Sequence, residues 1–120
     1  PLDSSMNSLI KRKGSKKIIQ IECITIDSFI GDQQVDIIKI DIEGAELLAL
    51  EGMRKTIEKN SSLVLFIELN PIALKEAGAV PDTLKNMLKG FGFDTFTILD
   101  EERNENDELL LCNLYCQRKN

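Results

Sequence analysis

The sequence predicts an α/β domain whose sheet is mainly parallel and ends in an antiparallel hairpin. Two apolar runs, VDIIKI and SLVLFIELNP, enclose a segment with helical spacing, which is the pattern of a parallel β-α-β unit. Two later strand-like runs, FDTFTILDEE and LLLCNLYCQR, are joined only by the ERNEND turn, so they must be antiparallel neighbours. A chain of 120 residues fits one domain with its own core, and we assign residues 1–120 to it.

The elements before the first apolar run are short. The basic cluster KRKGSKK, centred on Gly14, predicts a hairpin turn. The run IIQIECITI that follows is rich in β-branched residues and predicts a strand. In TIDSFI, Asp27 is the expected N-cap of a single helical turn that Gly31 closes.

The central β-α-β unit has the clearest pattern. VDIIKI is a nearly continuous apolar run, which predicts a strand covered on both faces. One helix should follow and end at Asn60, with Gly52 packed closely against the sheet. Its apolar stripe consists of Leu47, Leu50, Met53 and Ile57.

The second half of the chain continues the alternation. SLVLFIELNP predicts another fully apolar strand that ends at Pro71, and IALKEAGAV predicts a short helix. Pro81 and Asp82 begin a further helix, which the two strands of the hairpin follow. The predicted buried side of that helix consists of Leu84, Met87, Leu88 and Phe91.

Composition excludes several functions. A net charge of −5 and a pI near 4.8 argue against a nucleic-acid-binding surface, which needs clustered Lys and Arg. The absence of histidine leaves carboxylates, lysine or a cofactor to carry any catalysis. No apolar run approaches the roughly 20 residues of a membrane span, and the three cysteines lack the spacing of a metal site. We therefore expect a cytoplasmic protein without membrane or nucleic-acid partners.

Polar side chains follow the two strands of the central unit. Asp41 and Glu43 come directly after VDIIKI, while Glu68 and Asn70 end the next strand. Because ligands bind beyond the carboxyl ends of parallel strands, all four side chains could face one crevice. A simpler alternative is that Asp41 or Glu43 only caps the helix that begins near Gly44.

Lys39 lies inside the first of these strands, between apolar neighbours. An unpaired ammonium group would be costly there, so Lys39 must find an acid. Asp41 shares its face of the strand, and Glu68 should lie on the adjacent strand. We expect either a buried pair with one of these acids or a side chain that extends to the rim.

These motifs carry a family resemblance. VDIIKIDIEGAELLALEGM, followed by LVLFIELNP and preceded by TIDSFI, resembles the hallmark region of the FkbM family of S-adenosylmethionine-dependent methyltransferases. The resemblance implies a Rossmann-like methyltransferase fold, in which LLLCNLYC runs antiparallel between its two neighbours. The glycine-rich cofactor loop of that family is not found in this sequence. The chain is therefore expected to be the C-terminal part of the methyltransferase domain, a half-fold that binds the cofactor weakly or not at all by itself.

The resemblance also implies roles for individual residues. Asp41, Glu43 and Glu68 are the candidate catalytic groups, and Asp41 would also approach the cofactor, whose remaining contacts would lie outside this chain. Asn70 and Lys39 are candidates for substrate binding, and no metal site is expected. The implied reaction moves a methyl group from S-adenosylmethionine to an acceptor, most simply an oxygen of a small metabolite or sugar.

Two other functional hypotheses stay open at this point. The first is a non-catalytic α/β binding or scaffold module, whose exposed sheet edge would favour a homodimer. The second is a metal-dependent phosphodiester hydrolase, because carboxylates at strand ends can hold Mg²⁺.

Overall fold

The computed structural model describes residues 19–119, which form a four-stranded sheet and a set of short helices. The predicted hairpin turn around Gly14 lies outside the described residues. The helices are α1 (Ile26–Ile30), α2 (Glu46–Glu51), α3 (Arg54–Lys59), α4 (Pro71–Glu76) and α5 (Pro81–Gly90). The strands are β1 (Ile37–Ile40), β2 (Val64–Leu69), β3 (Thr95–Arg103) and β4 (Leu109–Gln117).

The sheet has the strand order β1-β2-β4-β3. β1 and β2 are parallel, whereas β4 is antiparallel to both β2 and β3. The α/β class, the parallel central unit and the antiparallel hairpin are confirmed, and β4 lies between its two neighbours as expected. The prediction of a mainly parallel sheet is wrong, because β4 separates β2 from β3. These two strands run in the same direction but do not pair with each other.

One face of the sheet carries the hydrophobic core. Ile40 pairs with Ile67, which pairs with Leu114, so all three project to the same side. That side packs against apolar residues of α2 to α5, including Leu50, Leu74, Leu84 and Leu88. The burial of Leu84 and Leu88 confirms the predicted inner side of α5.

The opposite face of the sheet is more open. Ile37 of β1 is 64% exposed, and only Ile40 of that strand is buried. The expectation that β1 is covered on both faces is therefore wrong for the described residues, where β1 is an edge strand with one neighbour. Phe66 and Tyr115 lie partly buried on the open face, with ring centroids 5.1 Å apart. Pairing of two copies through a sheet edge stays a prediction.

Residues 19–25 do not form the predicted strand. Ile19, Ile21 and Ile24 are exposed, and no strand among the described residues runs beside them. An extended segment needs a neighbouring strand to satisfy its backbone groups, so β-branched composition alone does not decide the outcome.

Asp27 has a different role from the predicted one. The N-cap of α1 is Thr25, whose hydroxyl accepts from the Ser28 N–H. Asp27 instead contacts the α2–α3 segment: its N–H donates to the Gly52 carbonyl at 2.9 Å, and its Oδ1 accepts from the Thr56 N–H at 2.8 Å. In an unbroken helix, these two groups of Gly52 and Thr56 would bond each other.

The predicted single helix is consequently two helices, α2 and α3, separated at Gly52 and Met53. Gly52 does approach a neighbour closely, but that neighbour is the Thr25 side chain, which lies 3.5 Å from the position of an added Cβ. The prediction that Gly52 packs against the sheet is wrong. No helix between residues 19 and 119 has the length and apolar character needed to cross a membrane.

Candidate functional site

The candidate site lies at the carboxyl ends of β1 and β2. Ile40 and Ile67 are the last residues of β1 and β2 that pair with each other. The next residue in the sequence is Asp41 after Ile40 and Glu68 after Ile67. Glu43 completes the group. One carboxylate oxygen from each of the three acids lies within 4.8 Å of the others. We call Asp41, Glu43 and Glu68 the acidic cluster.

A tight turn places Glu43 in the acidic cluster. Glu43 has a φ of +54° and Gly44 a φ of +102°, both in the left-handed region that most residues avoid. Two successive positive φ angles fold the chain back after β1, before α2 begins. The sequence motif therefore has a physical reason for glycine at position 44, where a side chain would be strained.

Neither Asp41 nor Glu43 occupies the N-cap position of α2. The N-cap of α2 is Ala45, which makes no capping bond through its side chain. The acid that supports the start of the helix is Glu46, whose Oε1 accepts from the Gly44 N–H at 3.0 Å.

The sequence interpretation missed Glu46. Its side chain is only 2% exposed, although it is a carboxylate. One signal was present in the sequence, because Glu46 lies four residues before Leu50 and therefore on the buried stripe of the helix.

The acidic cluster perturbs Glu68. Partial burial is the main cause that raises the pKa of Glu68, followed by the negative charge of Asp41, a hydrogen bond with Asp41, and the charge of Glu43. Lys39 acts in the opposite direction, but its effect is smaller. Glu68 therefore holds a proton more readily than an isolated glutamate does.

Lys39 pairs with Asp41 but is not buried. Its Nζ lies 3.3 Å from Asp41 Oδ2, and the two side chains are 66% and 40% exposed. Of the expected alternatives, the structure shows the side chain at the rim. The reason is the position of β1 at the edge of the described sheet, where the open face leaves the ammonium group in solvent.

Asn70 lies directly after β2 but serves first as a structural residue. Its Oδ1 accepts from the N–H groups of Ile72 and Ala73 and caps α4. The amide nitrogen of Asn70 is the part of this side chain that could donate to a ligand.

The acidic cluster can interact with cations. Three carboxylates at this separation could ligate one divalent ion, although exposed acids often lie together without one. The same oxygens could face an organic cation or accept a proton from a hydroxyl group. Anionic ligands such as phosphates are disfavoured by this concentration of negative charge.

Comparison with known families gives one match. Residues 2–95 match the model of the family described as Methyltransferase FkbM domain. The chain belongs to the FkbM methyltransferase family. The searches of curated proteins and of solved structures gave no match. All the candidate site residues of this FkbM domain, from Lys39 to Asn70, lie within the matched part.

Proposed function

We propose that this FkbM domain takes part in the transfer of a methyl group from S-adenosylmethionine to an oxygen of a small metabolite or sugar, with the acidic cluster at its reaction site. The family match supports methyl transfer in general. The observation that carries the assignment to this site is the convergence of Asp41, Glu43 and Glu68 at the carboxyl ends of the parallel strands β1 and β2. We further infer that the described sheet is part of a Rossmann-like methyltransferase sheet.

The chemistry of the cluster fits the cofactor. S-adenosylmethionine, when bound, supplies a methyl group attached to a positively charged sulfur atom. Asp41, at the end of β1, is the residue that would hold this cation, and its exposed carboxylate already pairs with one cation, the ammonium of Lys39. A site built from carboxylates needs no histidine for this interaction.

Glu68 is the preferred general base. An acceptor hydroxyl must lose its proton as the new carbon–oxygen bond forms, and a base with a pKa closer to neutrality accepts that proton more effectively. Burial and the neighbouring acids raise the pKa of Glu68 in this direction. Glu43 reinforces the effect through its charge. Lys39 and the amide nitrogen of Asn70 are the groups that could bind other oxygens of the acceptor.

We place the reaction in the cytoplasm. Cys23, Cys112 and Cys116 are free thiols, which fits a reducing compartment.

The proposal is tested by methyl transfer in the intact protein. Formation of S-adenosylhomocysteine is followed with a panel of sugars and small polyols, for the wild type and for the variants Asp41→Asn and Glu68→Gln. We expect Glu68→Gln to lower kcat by about 100-fold or more, since a positioned acid–base group typically contributes that much. Asp41→Asn should instead raise the KM for S-adenosylmethionine, because it removes the negative charge that would hold the sulfonium cation.

The matched control is Asp36→Asn. Asp36 is also an exposed aspartate next to β1, but it precedes the strand and so lies at the opposite end from the cluster. It should retain the wild-type rate. Wild-type activity in Asp41→Asn and Glu68→Gln would show that the reaction takes place elsewhere, and a wild type that never demethylates S-adenosylmethionine would refute the proposed function.

A further inference from the structure

Glu46 is a buried carboxylate that the proposed reaction does not use. It is 2% exposed, and its Oε1 accepts from the Gly44 N–H at 3.0 Å. Its other oxygen, Oε2, is also buried and has no hydrogen-bond partner among the described residues. A half-satisfied buried carboxylate costs stability, whereas an apolar side chain of similar size would fill the same space without that cost.

The hydrogen bond that the Glu46 carboxylate accepts from Gly44 lies at a strained point of the backbone. Gly44 follows Glu43, and both have positive φ angles. A left-handed glutamate persists only where the surrounding structure holds it. The Glu46 carboxylate binds the N–H of the next residue, at the centre of this turn, from a helix that packs into the core.

We propose that the buried carboxylate of Glu46 fixes the turn at Gly44 and thereby positions the carboxylate of Glu43 in the acidic cluster. Glu46 is a positioning residue, since it acts through the backbone and not on a ligand. The inference deepens the proposed function and rests on it for the catalytic consequence. The placement of Glu43 itself can be measured without any reaction.

The position of Glu43 is followed through the pKa of Glu68, which the negative charge of Glu43 raises. The groups that act on Glu68 are Asp41 and Glu43, which raise its pKa, and Lys39, which lowers it. If Glu43 leaves the cluster, the pKa of Glu68 should fall toward its ordinary value. Because Glu43 acts through its negative charge, the fall should be smaller at high salt, which screens that charge.

The variant that tests this is Glu46→Met, compared with Glu46→Gln. Methionine fills the buried space but cannot accept from Gly44, whereas glutamine keeps an acceptor oxygen. Carboxyl NMR titration of the intact protein should show a lower pKa of Glu68 in Glu46→Met and a wild-type value in Glu46→Gln. The control is Glu51→Met, an exposed acid at the far end of α2, which should change nothing.

A double-variant cycle shows whether Glu46 acts through Glu43. In a Glu43→Gln background, adding Glu46→Met should cause no further change in the pKa of Glu68. An equal fall in both backgrounds would overturn the proposal, as would an unchanged Glu68 in Glu46→Met. If Glu46→Met does not fold, the hydrogen-exchange rate of the Gly44 N–H in the wild type is measured instead. Slow exchange supports the bond to Glu46, and exchange at the rate of an unstructured peptide refutes it.

Activity separates this inference from the proposed function. Glu46→Met should lower kcat about tenfold with little change in KM, and Glu46→Gln should restore it. If the titration behaves as expected but the wild type transfers no methyl group, only the proposed function fails. If the wild type is active and Glu46→Met alters neither kcat nor the Glu68 titration, only the positioning role fails.

Discussion

Asp27 provides a sharp test of how this fold is held together. Replacing it with asparagine keeps the shape of the side chain but removes the charge and one acceptor oxygen. In the wild type, Oδ1 accepts from the N–H and the hydroxyl of Thr56, both at 2.8 Å, and Oδ2 accepts from the Lys55 N–H at 3.1 Å. In the best orientation of Asp27→Asn, the oxygen keeps both Thr56 bonds, while the amide NH₂ group faces the N–H of Lys55.

The loss is therefore one charge-assisted hydrogen bond at the start of α3. Such a bond contributes about 1.5–3 kcal/mol, and the lower end applies because Lys55 is exposed and water can bind its N–H. We expect Asp27→Asn to lower the free energy of unfolding by about 1.5 kcal/mol at pH 7. For a protein of this size, that moves the urea midpoint down by roughly 1 M.

The pH dependence of the stability difference between wild type and Asp27→Asn can refute this explanation. Partial burial alone would raise the pKa of Asp27, but the bonds from Thr56 and Lys55 together outweigh it and lower the pKa below the usual value. The stabilisation by Asp27 is therefore complete above about pH 4 and is lost as the pH falls through the folded-state pKa. A stability difference between wild type and Asp27→Asn that stays constant from pH 7 to pH 3 would refute this explanation. Asp32→Asn is the control, because Asp32 also pairs with a residue of α3, Lys59, but is 96% exposed and should have no measurable effect.

Three further variants test the charge of Glu68 and the backbone at two glycines. Glu68→Gln should raise the free energy of unfolding at pH 7, because a raised folded-state pKa means that ionised Glu68 opposes folding. Urea titrations should show this gain disappearing as the pH falls to the unfolded-state pKa of glutamate, near pH 4. Gly44→Ala should lower the free energy of unfolding by about 1–2 kcal/mol because of the φ of +102°. Gly52→Ala, at a helical φ of −75° and with ordinary contacts to Thr25, should leave it unchanged or raise it by about 0.5 kcal/mol. Equal effects of the two glycine variants in the same urea titrations would contradict the assignment of strain to Gly44.

Much of the fold was predictable because local patterns agreed with the final packing. The apolar run before Asp41 and the one before Asn70 do form adjacent parallel strands, and their ends bring Asp41 and Glu68 together. The ERNEND turn correctly required an antiparallel hairpin. In each case a few consecutive residues contain the relevant information, namely period, length and the position of the turn.

The errors came from contacts between distant residues. Nothing near Gly52 in the sequence shows that Asp27, 25 residues earlier, bonds the two backbone groups that an unbroken helix would pair. The exposure of Lys39 depends on which strands flank β1, and this is a property of the whole sheet. The burial of Glu46 was indicated by its spacing to Leu50, but its bond to Gly44 depends on the backbone angles of the turn.

The same contacts explain why the three sequence motifs belong together. TIDSFI supplies Asp27, which divides the helical segment and begins α3. Before this division, α2 buries Glu46 and, one turn later, Leu50. Glu46 bonds the turn that carries Glu43 back toward the end of β2, where FIELN supplies Glu68. The three motifs are thus joined by contacts between residues that are distant in the sequence: TIDSFI to the start of α3, and the segment after β1 to the end of β2.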